Sequence, residues 1–145
     1  MRLRLPSMSA NAVTQFSVKE AAALLGVSDD TLRRWADAGR LTLETGANGR
    51  SLVPGEQLAA LAQELAAESS LAEAFPASRA SARNRLTGLV TKVTKDGVMA
   101  QVELQAGPFR IVSLMSREAA DELDLKPGTL ATASVKATTV VVELP

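Results

Sequence analysis

Apolar residues recur at helical spacing through the first half of the chain, then alternate with polar ones beyond about residue 80. The first helical stretch opens at Ser17-Val18-Lys19-Glu20, a capping box in which the Ser17 hydroxyl accepts from an early helical N–H and the Glu20 carboxylate reaches back. Ala21, Ala22, Leu24 and Leu25 are its apolar positions, and Gly26 permits the left-handed turn that ends it. Ser28 caps a second helix whose stripe of Leu32, Trp35 and Ala36 stops before Gly39, and this spacing assigns Trp35 to the core. Residues 41–53 alternate weakly around the tip Thr45-Gly46-Ala47-Asn48-Gly49, which predicts a β-hairpin. Pro54 suits the first turn of a third helix carrying Leu58, Leu61, Ala62 and Leu65 and running to about residue 68.

Periodicity is lost over 69–80, where Ala and Ser dominate around Pro76, and this stretch reads as a linker. Beyond it, residues 86–94, 98–104, 109–115 and 130–144 read as strands rich in Val, Leu and Thr. They are separated by turns at Asp96-Gly97, Gly107-Pro108 and Pro127-Gly128. One short helix over 117–123, capped by Ser116, precedes the last strand. The pattern predicts an α+β chain of two domains, an N-terminal, mainly helical winged helix-turn-helix and a C-terminal small β-barrel with one short helix. The boundaries are a flexible tail over 1–15, a first domain over 16–68, a linker over 69–80 and a second domain over 81–145.

Composition narrows the function. The 145 residues include no cysteine and no histidine, which removes disulfides, thiolate or imidazole metal sites and the triads built on those side chains. No remaining Ser, Lys or carboxylate group has a catalytic spacing, so the chain is not expected to be an enzyme. Sixteen basic residues balance 16 acidic ones, so no global field draws the chain to nucleic acid and any DNA binding must be local. The basic residues of Met1-Arg2-Leu3-Arg4-Leu5-Pro6 precede no apolar run, so neither a signal peptide nor a membrane span is expected and the localisation reads as cytoplasmic. With 46% hydrophobic residues, two small domains would gain from oligomerisation.

The order Phe16-Ser17-Val18-Lys19-Glu20-Ala21-Ala22, Leu25-Gly26-Val27-Ser28, Thr31-Leu32-Arg33-Arg34-Trp35, Gly39-Arg40-Leu41 and Gly49-Arg50 resembles the winged helix-turn-helix of the MerR, BldC and excisionase-like regulators. In a helix-turn-helix the second helix enters the major groove by its N-terminal side chains. Candidate contacts to double-stranded DNA are therefore Ser28, Asp30, Thr31, Arg33 and Arg34, with Arg50 on the wing meeting phosphate or the minor groove. Asp29, Asp30 and Asp37 place negative charge on or near the same helix, and Arg50 is followed by Ser51-Leu52 where many relatives have an aromatic.

Ser81-Ala82-Arg83-Asn84-Arg85-Leu86-Thr87-Gly88, the turn Leu123-Asp124-Leu125-Lys126-Pro127-Gly128, and Val135-Lys136-Ala137-Thr138-Thr139-Val140 resemble the Mop domain of the molbindins and molybdate-responsive regulators, a TOBE-like, OB-like barrel. The resemblance implies a molybdate or tungstate ligand held by Ser81, Ala82, Arg83, Ser116, Ala119, Lys136 and Ala137. The chemistry suits a tetrahedral dianion: Arg83 and Lys136 supply two charges, and hydroxyl and backbone N–H groups complete the shell. Asn84 and Arg85 read as structural or interface residues. Where relatives carry a second hydroxyl on the short helix, this chain has Ala119, whose N–H is left as the available donor.

The resemblance also implies that the anion sits between domains of neighbouring protomers, so a single-copy chain is expected to form a homo-oligomer, a dimer or a hexamer of three dimers. The first reading is an oxyanion-responsive DNA-binding regulator. The alternatives are a molybdate store without operator binding and, more weakly, a DNA-bound architectural protein with a vestigial pocket.

Overall fold

The computed structural model describes residues 14–76 and 79–145; most of the tail expected over 1–15, and residues 77–78 of the expected linker, lie outside them. The chain divides into two compact units between Ala74 and Phe75.

In the N-terminal unit, β1 (Gln15–Ser17) leads directly into α1 (Val18–Leu25). The expected capping box is complete: Ser17 Oγ accepts from the Glu20 N–H at 3.1 Å, and the Ser17 N–H donates to Glu20 Oε2 at 3.1 Å. Gly26 ends the helix at φ 69°, and the Val27 N–H closes the turn on the Ala22 carbonyl at 3.0 Å. α2 (Asp29–Asp37) is capped by Ser28 and followed by Gly39 at φ 80°. The hairpin of β2 (Glu44–Thr45) and β3 (Ser51–Pro54) precedes α3 (Gly55–Ala67). Val18, Ala21, Ala22, Leu32, Leu41, Val53, Leu58 and Leu61 form one buried core, with Trp35 packed half-buried against it. Arg40 stacks over the Trp35 ring, 5.2 Å from its centroid, and reaches Glu64 and Glu68 at 3.7 and 3.5 Å, joining the end of α2 to α3.

Three features of this unit differ from the sequence reading. Gln15, placed in the tail, opens β1, which pairs antiparallel with β3 through Phe16↔Val53, so the wing is a three-stranded sheet in the order β1-β3-β2. Pro54 ends β3 rather than starting a helix; it has no N–H to give, and α3 begins one residue later. The expected linker contains a short helix, α4 (Ser70–Ala74), where Leu, Ala and Glu favour helix and Ser69 Oγ accepts from the Leu71 N–H at 3.3 Å.

The C-terminal unit is a curled, four-stranded antiparallel sheet. It comprises β4 (Asn84–Lys95), β5 (Met99–Ala106), β6 (Phe109–Ser116) and β7 (Leu130–Val135) in the order β6-β5-β4-β7, with α5 (Arg117–Glu122) between β6 and β7. β4 changes partner along its length. Asn84 to Leu89 pair with β7, Leu89 to Lys95 pair with β5, and an irregularity between Val90 and Lys92 follows the crossing. This crossing curls the sheet. Val90, Val102 and Leu104 form the buried centre of the concave face, flanked by Ile111, Met115, Leu125, Ala131 and Ala133.

β6 and β7 are the outer strands of this half-barrel, and between them lies an apolar cleft of about 320 Å³ lined in part by Ile111, Met115, Leu125 and Ala133. The last strand is much shorter than the expected 130–144. It stops at Val135 because the Lys136 carbonyl accepts both the Thr139 N–H at 3.0 Å and Thr139 Oγ1 at 2.9 Å, winding Ala137–Thr139 into a single 3₁₀ turn. Lys136 therefore lies just past the strand rather than on it. Val141, Val142 and Leu144 beyond the turn are 87%, 89% and 77% exposed.

Candidate functional site

The two groups of candidate residues sit on different units. On α2, Asp29, Asp30, Arg33, Arg34 and Asp37 are exposed, while Leu32 is completely buried and fixes the helix against the core. Ser28 and Thr31 are committed to each other: Ser28 Oγ accepts from the Thr31 N–H at 3.2 Å and lies 2.9 Å from Thr31 Oγ1. The wing holds Arg50 by its backbone, whose carbonyl accepts from the Gly46 N–H at 2.7 Å and whose N–H donates to Asn48 Oδ1 at 3.3 Å.

Ion pairing separates two kinds of cation. Arg40, Lys95, Arg110, Arg117 and Lys126 each have a carboxylate partner. Among the described residues, Lys19, Arg33, Arg34 and Arg50 of the first unit, and Arg79, Arg83, Lys92 and Lys136 of the second, have none. An exposed cation with no internal partner has its donors open to solvent or to an external anion. Lys19 was missed by sequence reading; it lines a hollow with Arg33 and Arg50, from which it is far removed in sequence.

In the C-terminal unit the β4–β7 register brings two candidates together. Asn84 pairs with Val135, its Nδ2 donating to the Val135 carbonyl at 3.1 Å, so Arg83 and Lys136 are the next residues outward from this pair. Arg83 and Ser81 are exposed and Ala82 is half-buried, while Lys136 starts the 3₁₀ turn that contains Ala137. Two cations of like charge at one sheet end repel one another unless an anion lies between them. The residues present thus fit a dianion at this end.

Ser116 and Ala119 are not at that end. Ser116 pairs with Met99, and the Arg117 N–H donates to the Val98 carbonyl at 2.8 Å, which sets the start of α5 beside the far end of β4, where Lys95 pairs with Ala100. The 12 residues of β4 separate the two groups, roughly 40 Å of extended chain at about 3.3 Å per residue before curling. The Ala119 N–H, expected as a free donor, is taken by Ser116 Oγ at 3.0 Å, leaving the Ser116 hydroxyl hydrogen as the donor of this turn. Nearby, Asp96 accepts from the Met99 and Val98 N–H groups at 2.7 and 2.8 Å, and these bonds hold its carboxyl below the usual carboxylate range. The Lys95 ammonium does the same for Asp121 on α5.

The described chain thus comprises two small units, one with a winged helix-turn-helix and one a curled β half-barrel with Arg83 and Lys136 at one end of its sheet. Residues 16–66 match the family described as "Helix-turn-helix domain", and residues 80–142 match "TOBE domain". Over 63 residues the chain is 41% identical to molybdenum-pterin-binding protein 3 of Clostridium pasteurianum, covering 43% of this chain and 93% of that one. It is also 36% identical over 103 residues to molybdenum-pterin-binding protein MopA of Rhodobacter capsulatus, 70% of this chain but only 38% of MopA's length. A solved structure of a molybdate binding protein from Sporomusa ovata aligns at 33% identity with TM-score 0.45, covering 46% of this chain and all of that one. The chain belongs to the molybdenum-pterin-binding (Mop) family, carrying a TOBE domain joined to a helix-turn-helix domain.

Proposed function

We propose that the chain is a cytoplasmic, non-catalytic regulator that binds molybdate or tungstate between TOBE domains of neighbouring protomers and reads double-stranded DNA with its helix-turn-helix. The observation that carries this reading is the separation of the anion-site candidates. Ser81, Ala82, Arg83, Lys136 and Ala137 gather at one end of the half-barrel, and Ser116 and Ala119 at the other. A second protomer supplying its own Ser116 end would complete the shell. The apolar cleft between β6 and β7 and the exposed Val141, Val142 and Leu144 favour such association. Molybdenum-pterin binding by the Clostridium relative supports the ligand class. The unpaired Arg33, Arg34 and Arg50 support DNA contact, and no described helix is long and apolar enough to cross a membrane.

Regulation follows if the anion favours one arrangement of protomers, because the spacing of two recognition helices sets which half-sites they fit. The exposed Asp29, Asp30 and Asp37 on α2 favour the second reading, a molybdate store whose helices make protein contacts only. The test of the site is thermal stabilisation by molybdate, with sulfate as control, alongside mass in solution. The wild type is expected to be an oligomer stabilised by molybdate, and Arg83→Ala or Lys136→Ala to lose that stabilisation. A strict monomer that still binds tightly, or variants stabilised as well as the wild type, would sink the shared site.

A further inference from the structure

Three cations from three separate elements line one hollow of the N-terminal unit. This hollow, of about 300 Å³, is bordered by Lys19 of α1, Arg33 of α2 and Arg50 of the wing, together with Asp29, Ser17 and Ser51. Each cation is anchored at its backbone. Lys19 follows the closed capping box of Ser17 and Glu20, Arg33 follows the buried Leu32, and Arg50 is pinned within the turn by Gly46 and Asn48. None of the three has an ion pair, and even Asp29, one helical turn before Arg33, makes none with it. Against that single carboxylate the lining carries an excess of positive charge in a protein whose overall charge is +0.

Arg34 does not border the hollow, although it is the next residue along α2. The two arginines of the reading helix are thereby divided: Arg33 faces the wing and α1, and Arg34 does not. An anion at the hollow would relieve repulsion among three fixed cations while accepting bonds from all of them.

We infer that this hollow seats one phosphodiester of the DNA backbone, that Lys19 is a DNA contact in its own right, and that Arg33 and Arg50 converge on that same phosphate while Arg34 is left to face base edges. The inference rests on the DNA-binding reading given above. Its consequence is a division of labour, in which Lys19, Arg33 and Arg50 fix the position of the unit and Arg34 carries discrimination.

The test uses the full chain and two labelled duplexes of equal length, one of random sequence and one selected by the protein from a random pool, each titrated across a range of salt. Lys19→Gln is expected to weaken both duplexes by a similar factor, about tenfold for one lost charge-assisted contact, and to flatten the salt dependence by up to about one unit of slope. Lys19→Arg should restore both, and Arg34→Gln should instead reduce the ratio of selected to random binding. Wild-type binding that is steep in salt but unchanged in Lys19→Gln would overturn the hollow while leaving DNA binding intact. So would a Lys19→Gln variant that alters only the ratio between duplexes. A wild type that binds neither duplex would overturn the DNA-binding reading itself.

Discussion

Replacing Gly88 with alanine puts a methyl group where β4 passes from one partner strand to the other. Gly88 pairs with Ala131 of β7, and its neighbour Leu89 is the residue shared by both ladders, opposite Leu130 and Gln105. A Cβ at this position would lie 2.2 Å from the Gln105 carbonyl oxygen, 2.8 Å from its carbon and 2.9 Å from the Ala106 Cα. All three are backbone atoms, so no side-chain rotation relieves the contact, and β5 must move away by roughly an ångström to reach ordinary van der Waals separation. Overpacking of this kind costs about 1–3 kcal/mol. Each ladder hydrogen bond stretched at the end of β5 adds about 0.5–1.5 kcal/mol.

A total of about 2–4 kcal/mol in a unit of this size lowers the melting point by about 10 °C or more. Trp35, the one tryptophan of the chain, reports on the N-terminal unit by fluorescence, while amide hydrogen exchange of the β4–β7 ladders follows the sheet. Gly88→Ala should melt the sheet early and leave the Trp35 transition in place. Gly97→Ala, where an added Cβ meets nothing within 4 Å, serves as the control and should stay within about 0.5 kcal/mol of wild type. A Gly88→Ala protein melting within about 2 °C of wild type would refute the close-approach argument.

Leu32 is completely buried at the centre of the first core, so Leu32→Ala should destabilise that unit by about 2–5 kcal/mol, read as an early Trp35 fluorescence transition with the sheet's melting unchanged. The carboxyls of Asp96 and Asp121 are held below the ordinary value of about 3.9, so the stability they lend is present above that value and is lost as pH falls through their lower folded values. Melting of the C-terminal unit should therefore drop below about pH 4, and Asp96→Asn should flatten that drop. A pH profile of Asp96→Asn superimposable on wild type would show that ionisation of Asp96 contributes nothing to that drop.

The local parts of the fold were legible in the sequence because neighbouring residues create them. Ser17 with Glu20, Gly26, and Ser28 with Thr31 are caps and stops whose chemistry lies within a few positions. β1 was not legible, since three residues become a strand only when β3, more than 30 positions later, offers its edge. The Val140-Val141-Val142 run satisfies every local rule for a strand, yet the Thr139 hydroxyl bonding back to the Lys136 carbonyl turns the chain first. For the proposed anion site, motifs named Arg83 and Lys136, but only the antiparallel register of β4 on β7 makes them neighbours, and only the strand order sets Ser116 at the other end. Lys19 lay within the capping box and the helix-turn-helix motif without standing out as a contact, because its neighbours in the hollow come from α2 and the wing.

Coupling between oxyanion and DNA is measured most directly as DNA affinity of the full chain with and without molybdate, with sulfate as control, across a range of salt. Salt-dependent binding to a selected duplex is expected, with an affinity that changes with molybdate and not with sulfate and a response that disappears in Arg83→Ala and Lys136→Ala. DNA affinity indifferent to molybdate would contradict the coupling, and absence of salt-dependent binding under every condition would remove the regulator reading.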